Sequence, residues 1–135
     1  MTRVVLDTNI FVSSFFGGKP RRIIELWAAG RITLCLSAAI VDEYVAVLRR
    51  MGLQDQAPLE ALFDLFRRGH HCLFTATAPE LRVVLDDPDD DKFVECTVAL
   101  KAPFIVSGDK ALLAIGNYLG VKILIPAMFL FELDE

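Results

Sequence analysis

Short apolar runs alternate with amphipathic segments along the chain, and this alternation restricts the possible folds more than any other feature. Segments with apolar residues at intervals of three and four positions predict helices, and the runs between them predict strands. The predicted strands lie at residues 3–6, 32–36, 71–75, 103–106 and 121–125. Strands that alternate with helices form a mostly parallel sheet with helices on both faces. The sequence therefore predicts an α/β fold with about five strands.

The length and hydrophobicity of the chain favour one domain. Its 135 residues are 54% hydrophobic, which provides enough apolar side chains for one core. No linker or low-complexity tract interrupts the alternation, so we expect residues 1–135 to form a single domain. The mean hydropathy of +0.46 is high for a monomer. It predicts a homodimer or higher oligomer, a protein partner, or a sheet buried on both faces.

No segment predicts export or insertion into a membrane. The N-terminus reaches Asp7 after only three apolar residues, which is too few for the apolar part of a signal peptide. The longest apolar stretch, at residues 121–133, contains Lys122 and Pro126 and is shorter than the roughly 20 residues of a membrane-spanning helix. The three cysteines form no C-x-x-C motif, which is typical of reduced thiols. We therefore expect a cytoplasmic protein.

Two acidic residues directly follow predicted strands. Asp7 ends the first strand, and Asp109 comes after the fourth strand in the motif Ser107-Gly108-Asp109. In open parallel sheets, ligands bind at the carboxyl ends of strands, where the connections diverge to opposite faces. If the first and fourth strands are neighbours, the two carboxylates face each other across such a crevice.

A third acidic residue, Glu43, is predicted to lie on a helix. At about 100° per residue, Glu43 falls on the flank of the apolar stripe in the helix at residues 38–50. Its neighbour Asp42 falls nearly opposite that stripe. We therefore expect Asp42 to be solvated and Glu43 to lean over the edge of the core into a cleft.

A fourth acidic position comes from the run at residues 86–91, which supplies carboxylates to the start of a helix at residues 92–101. A carboxylate at a helix N-terminus is kept ionised by the free N–H groups there. Asp91 is the preferred candidate in this run. The sequence leaves open whether Asp89 or Asp90 takes that place.

Clustered carboxylates are suited to phosphodiester hydrolysis with metal ions. Hard cations such as Mg²⁺ prefer oxygen ligands, and three or four acids can hold one or two of them. Such ions polarise a phosphodiester and activate water. The net charge of −4 argues against a surface wholly adapted to nucleic acid, yet setting aside the four candidate acids leaves equal numbers of acidic and basic residues.

The order of these motifs resembles that of the PIN-domain nucleases, and the likeness covers nearly the whole chain. The motifs are VLDTNIFVSSF at residues 5–15, DPDDDKFVECTVAL at residues 87–100 and IVSGDKALL at residues 105–113. In detail the chain is similar to the bacterial and archaeal PIN toxins of the VapC type.

The resemblance implies a three-layer α/β/α sandwich that cleaves RNA with Mg²⁺ or Mn²⁺. It places the metal-binding and catalytic acids at Asp7, Glu43, Asp91 and Asp109, and the polar supporting residues at Asn9 and Ser107. It also implies dimerisation and inhibition by a cognate antitoxin protein. The alternatives are an RNA-processing nuclease that is not a toxin, and a catalytically idle PIN-like interaction module.

Contact with RNA requires positive charge near the acids. Lys19, Arg21 and Arg22 lie just beyond the first acidic loop and are the candidate phosphate contacts. The rival enzyme class forms an aspartyl phosphate and also uses an Asp after a strand. A haloacid-dehalogenase-like phosphatase requires a second Asp two residues later, where this chain has Asn9. The sequence therefore favours the nuclease.

Overall fold

The computed structural model describes residues 1–53 and 55–134. Its strands are β1 (Arg3–Leu6), β2 (Thr33–Ser37), β3 (Cys72–Thr75), β4 (Phe104–Val106), β5 (Asn117–Tyr118) and β6 (Val121–Leu124). Its helices are α1 (Thr8–Ser13), α2 (Gly18–Ala28), α3 (Ala38–Arg50), α4 (Ala57–Arg67), α5 (Asp91–Leu100), α6 (Lys110–Ile115) and α7 (Pro126–Glu132). A 3₁₀ turn at Pro88–Asp90 precedes α5.

The strands form one sheet in the order β3-β2-β1-β4-β6-β5. All neighbouring pairs are parallel except β5 and β6, which are antiparallel. Because β1 pairs with β4 through Leu6 and Val106, the carboxyl ends of these two strands lie side by side. The predicted α/β class and the mostly parallel sheet are confirmed. The pairing of β1 with β4 meets the condition under which Asp7 and Asp109 were expected to face each other.

Two elements differ from the sequence-based expectation. The chain has a sixth strand, β5, which has only two residues and no apolar run to reveal it. The apolar stretch after residue 121 also divides, because β6 ends at Leu124 and Pro126 begins α7. Proline is well suited to the first turn of a helix, where its missing N–H has no intrahelical partner. Among the described residues, no helix combines the length and apolar character needed to cross a membrane.

Packing between α1 and α3 fixes the end of β1. The Tyr44 ring of α3 stacks on the Phe11 ring of α1, with centroids 4.2 Å apart. The Tyr44 hydroxyl donates a hydrogen bond to the carbonyl oxygen of Leu6, the last residue of β1. Both aromatic rings are buried. This contact holds α3 against the sheet, so that Glu43, which precedes Tyr44, faces the carboxyl end of β1.

Candidate metal centre

An acidic cleft of about 210 Å³ opens at the carboxyl ends of β1 and β4. Five carboxylates line it, and they come from four different parts of the chain: Asp7, Glu43, Asp87, Asp90 and Asp109. Thr8, Asn9, Val47, Arg50 and Phe93 complete the lining. The sheet order and the packing of α3 therefore bring three of the four predicted acids into one cleft, namely Asp7, Glu43 and Asp109.

Asp7 belongs both to the end of β1 and to the start of α1. It is the N-cap of α1, since its Oδ1 accepts a hydrogen bond from the Ile10 N–H at 2.8 Å. For this reason α1 begins directly after Asp7, at Thr8. Burial raises the pKa of Asp7, the hydrogen bonds from Ser107 and Ile10 oppose this effect, and the charge of Asp109 adds to it.

Ser107 connects the two strand-end acids. Its hydroxyl donates to Oδ2 of Asp7, and its Oγ accepts the backbone N–H of Asp109 at 2.9 Å. Ser107 is completely buried, so this arrangement is held by the surrounding core. Asp109 is in turn the N-cap of α6, and its Oδ2 accepts the Leu112 N–H at 3.1 Å. The supporting position predicted for Ser107 therefore corresponds to observed contacts with both acids.

Asp87, Asp90 and Asp109 form the tightest group of carboxylates in the described part of the chain. One oxygen from each lies within 4.8 Å of the others. Oδ2 of Asp90 is buried and has no hydrogen-bond partner among the described residues. The pKa of Asp90 is raised to about 8, chiefly by burial. The hydrogen bond and charge of Asp109 contribute next, followed by the charges of Asp87 and Asp7. A divalent cation would supply the positive charge that offsets these three carboxylates.

Asp91 lies beside this cleft and points elsewhere. Its Oδ1 accepts the backbone N–H groups of Val83 at 3.0 Å and Val84 at 2.8 Å, and the residue is 9% exposed. One turn later in α5, Glu95 accepts the N–H of Leu81 at 2.7 Å. These two acids, four residues apart on one helix face, bind the preceding loop. The acid that this run directs into the cleft beside Asp87 is Asp90.

Both oxygens of Glu43 have partners. The Thr8 hydroxyl donates to Oε2, and the Lys92 ammonium lies 2.6 Å from Oε1. Lys92 also lies 3.2 Å from Oδ1 of Asp89. Burial lowers the pKa of Lys92, but the hydrogen bonds and charges of Glu43 and Asp89 outweigh it, and the net shift is upward. Local sequence does not reveal this contact of Lys92, because nothing near it indicates that it meets a residue 49 positions away.

The predicted RNA contacts occupy a different environment. Arg21 donates to the carbonyl oxygens of Ser14 at 3.1 Å and Phe15 at 2.5 Å, so it closes the connection between α1 and α2. Lys19 and Arg22 are exposed on the first turns of α2. Among the described residues, the arginine that lines the acidic cleft is Arg50, at the end of α3.

The fold and the cleft define a class: an α/β protein with a carboxylate-rich site at its central strands, suited to a divalent cation. The PIN domain family model matches residues 3–111, and the chain belongs to this family. PIN domains generally have metal-dependent nuclease activity. No curated protein sequence matches the chain.

A solved structure shares the fold. The crystal structure of PAE2754 from Pyrobaculum aerophilum superposes with a TM-score of 0.53 and 13% sequence identity. The likeness covers 98% of this chain and 97% of that protein. At this identity, the comparison supports the architecture alone.

Proposed function

We propose that this chain is a metal-dependent endoribonuclease whose cation is held by Asp7, Asp90 and Asp109. The observation that carries the proposal is the buried Oδ2 of Asp90, which has no hydrogen-bond partner in the described part of the chain and lies in a cleft with four other acids. A buried polar atom without a partner is costly, and so is a group of close like charges. One or two Mg²⁺ or Mn²⁺ ions would relieve both costs, because these ions prefer carboxylate oxygens.

The ligands come from elements with fixed positions. Ser107 orients Asp7 and Asp109 at neighbouring strand ends, and the 3₁₀ turn before α5 presents Asp90. In this proposal, Asp90 takes the role that the family resemblance assigned to Asp91, with Asp87 beside it. When bound, the metal would polarise the phosphodiester and activate a water for attack on phosphorus.

The other polar groups have supporting roles in this proposal. Asn9 is exposed at the cleft, where its amide can hydrogen-bond a ligand water or the substrate. Arg50 supplies positive charge at the same place. Lys19 and Arg22 remain proposed contacts for more distant RNA phosphates, whereas Arg21 stabilises the loop between α1 and α2. Cleavage by metal-activated water requires no covalent enzyme intermediate.

The toxin role and the partners are also proposals. The likeness of the three sequence motifs to VapC-type toxins supports a cytoplasmic toxin that is inhibited by a cognate antitoxin protein. Large apolar side chains at the surface, among them Phe16 at 68% and Phe131 at 75% exposure, are compatible with a homodimer or another protein partner. RNA processing outside a toxin system uses the same chemistry. The five carboxylates in the cleft favour an active enzyme over an idle interaction module.

Cleavage of labelled RNA in Mg²⁺ or Mn²⁺, with EDTA controls, tests the proposal. Asp90→Asn and Asp109→Asn should each reduce the rate by about 100-fold or more, because removing even supporting groups of metal sites costs 10–100-fold. Asp42→Asn serves as the matched control, since Asp42 is an exposed acid on α3 outside the cleft. Labelled single-stranded DNA tests the preference for RNA. Equal cleavage by wild type and Asp90→Asn would contradict the assignment.

A further inference from the structure

Lys92 is a cation held among acids at the side of the cleft. Its ammonium contacts Glu43 at 2.6 Å and Asp89 at 3.2 Å, and its side chain is only 15% exposed. The two acids differ in accessibility, because the side chain of Glu43 is 22% exposed and that of Asp89 is 75% exposed. Glu43 is therefore the fixed partner of Lys92, and Asp89 is a surface partner that solvent or a ligand can replace.

The ammonium has capacity for another acceptor. A lysine ammonium has three N–H donors, and Glu43 and Asp89 account for two of them among the described residues. The ion pair with Glu43 holds this cationic side chain in place beside a cleft whose own lining is mostly acidic.

Lys92 also lies where two cavities meet. Its partner Glu43 lines the acidic cleft, whereas Lys92 lines a neighbouring open cavity of about 790 Å³. Arg82 is a second cationic residue in the lining of this larger cavity. A polynucleotide that places one phosphate in the metal cleft must also pass its adjacent phosphates over the neighbouring surface. Lys92 occupies the boundary that such a strand would cross.

We propose that Lys92 binds a phosphate of the RNA strand next to the cleavage point, and that Glu43 is the positioning residue that holds Lys92 there. The inference rests on the proposed ribonuclease function. The substrate phosphate displaces Asp89 and takes its place on the ammonium, while Glu43 keeps its contact. Glu43, with Thr8 and Lys92 on its two oxygens, thus acts on the substrate through Lys92 and is not a direct metal ligand.

Binding of a fluorescent single-stranded RNA, measured by anisotropy over a range of KCl concentrations in EDTA, tests Lys92 without cleavage. Lys92→Gln should weaken binding about tenfold, which corresponds to the loss of one charged contact. It should also lower the slope of log affinity against log salt by about 0.7, the value for one phosphate contact on a single strand. Lys92→Arg should retain most of the affinity. Lys101→Gln, which removes an exposed charge at the other end of α5, is the control.

Asp89→Asn distinguishes a phosphate site from a purely structural ion pair. If a phosphate competes with Asp89, removing the charge of this exposed carboxylate should tighten RNA binding about threefold. A structural ion pair predicts no such gain. An unchanged salt slope in Lys92→Gln, or weaker binding in Asp89→Asn, overturns the inference. Asp89→Asn changes an exposed residue, so its result can be interpreted even if Lys92→Gln does not fold.

The role of Glu43 is tested by metal binding and by a double variant. Titration with Mn²⁺ should give Glu43→Gln an affinity within about threefold of wild type, whereas loss of a direct ligand costs much more. RNA binding by Glu43→Gln/Lys92→Gln should be no weaker than by Lys92→Gln alone, because the two residues act as one unit. A tenfold or larger loss of Mn²⁺ affinity in Glu43→Gln, on the scale of about 10–100-fold for groups at metal sites, overturns the positioning role.

The outcomes separate this inference from the proposed function. If wild type cleaves RNA and the salt slope does not depend on Lys92, the nuclease stands and the inference fails. If wild type binds RNA through Lys92 and takes up Mn²⁺ but never cleaves, the phosphate site stands and the ribonuclease proposal fails. If the wild-type chain does not bind RNA, the inference about Lys92 fails. The proposed metal site is then tested separately, because Asp90→Asn should still lose Mn²⁺ binding.

Discussion

The acidic cleft is built from two regions with different origins. At the strand ends, Asp7 and Asp109 each follow a buried strand and begin the next helix, so one local motif fixes their position. At the start of α5, the carboxylates occur in an almost unbroken run, and only Asp87 and Asp90 of that run line the cleft. The strand-end acids are specified by local structure, whereas the helix-start acids are selected by how the turn packs.

This difference teaches what a sequence pattern can determine. A carboxylate between a strand and a helix has few alternatives, since the helix needs an N-cap and the parallel sheet aligns the strand ends. Within a run of aspartates, every side chain has the same chemistry. If the start of the helix turned by one residue, a different aspartate would face the cleft and the present one would face the loop. The strand-end acids therefore depend on the groups that orient them, whereas the choice among the helix-start acids depends on the conformation of a single backbone turn.

Among the changes that compare these two regions, the largest effect is expected from loss of the Ser107 hydroxyl, which should weaken Mn²⁺ binding. Ser107→Ala removes the hydroxyl that joins Asp7 to the backbone N–H of Asp109. Mn²⁺ affinity, measured by calorimetry, should fall about 10–100-fold, as is usual when groups that orient metal ligands are lost. Ser107→Thr keeps the hydroxyl and serves as the control. If Ser107→Ala binds Mn²⁺ as tightly as wild type, the two strand-end acids do not depend on this bridge.

A second prediction concerns Asp91 and compares it directly with Asp90. Asp91→Ala leaves the N–H groups of Val83 and Val84 without their acceptor and should lower the free energy of unfolding by about 2 kcal/mol. Its Mn²⁺ affinity should stay within about threefold of wild type. Urea denaturation and Mn²⁺ titration of the same samples measure both quantities. Loss of Mn²⁺ binding at unchanged stability would show that Asp91, and not Asp90, is the ligand.

The smallest effect is a pH dependence that arises from Asp90. Its pKa is about 8 in the folded protein and 3.8 in the reference state, so between these values the folded chain holds a proton that the unfolded chain has released. The contribution of this group to stability therefore decreases as the pH rises from about 4 to about 8. Because Asp90 is only half-buried, solvent screens much of this repulsion and reduces its effect on stability. In EDTA, Asp90→Asn should therefore match the melting temperature of wild type near pH 4 and exceed it by about 2–4 °C near pH 8.

Mn²⁺ provides the control for that measurement. At the higher pH, it should raise the melting temperature of wild type, because it binds the ionised form of Asp90, and should raise that of Asp90→Asn much less. A difference between the two proteins that does not change with pH would be evidence against the repulsion among Asp90, Asp87 and Asp109.

By itself, the sequence determined the alternation of strands and helices, the parallel sheet and the strand-end acids. The helices and the strand-end acids depend on contacts between residues that are close in sequence, such as the hydrogen bond from the Ile10 N–H to Asp7. The parallel sheet follows from the alternation of strands with helices. The resemblance of the motifs to PIN domains was confirmed by the family match over residues 3–111. The position of Glu43 beside the cleft also followed from helical periodicity. Once the apolar face of α3 packs against the core, the residues at the edge of that face have a fixed direction.

Only the tertiary structure decided which aspartate enters the cleft, that Lys92 pairs with Glu43, and that Arg50 lines the site. These contacts join α3, α5 and the ends of two strands, and their partners lie tens of residues apart along the chain. No local periodicity distinguishes Asp90 from Asp91, because their chemistry is identical and only the packing of α5 against its preceding loop orients them differently. The rotation of that helix is a property of the whole core, and it becomes fixed only when the core is assembled.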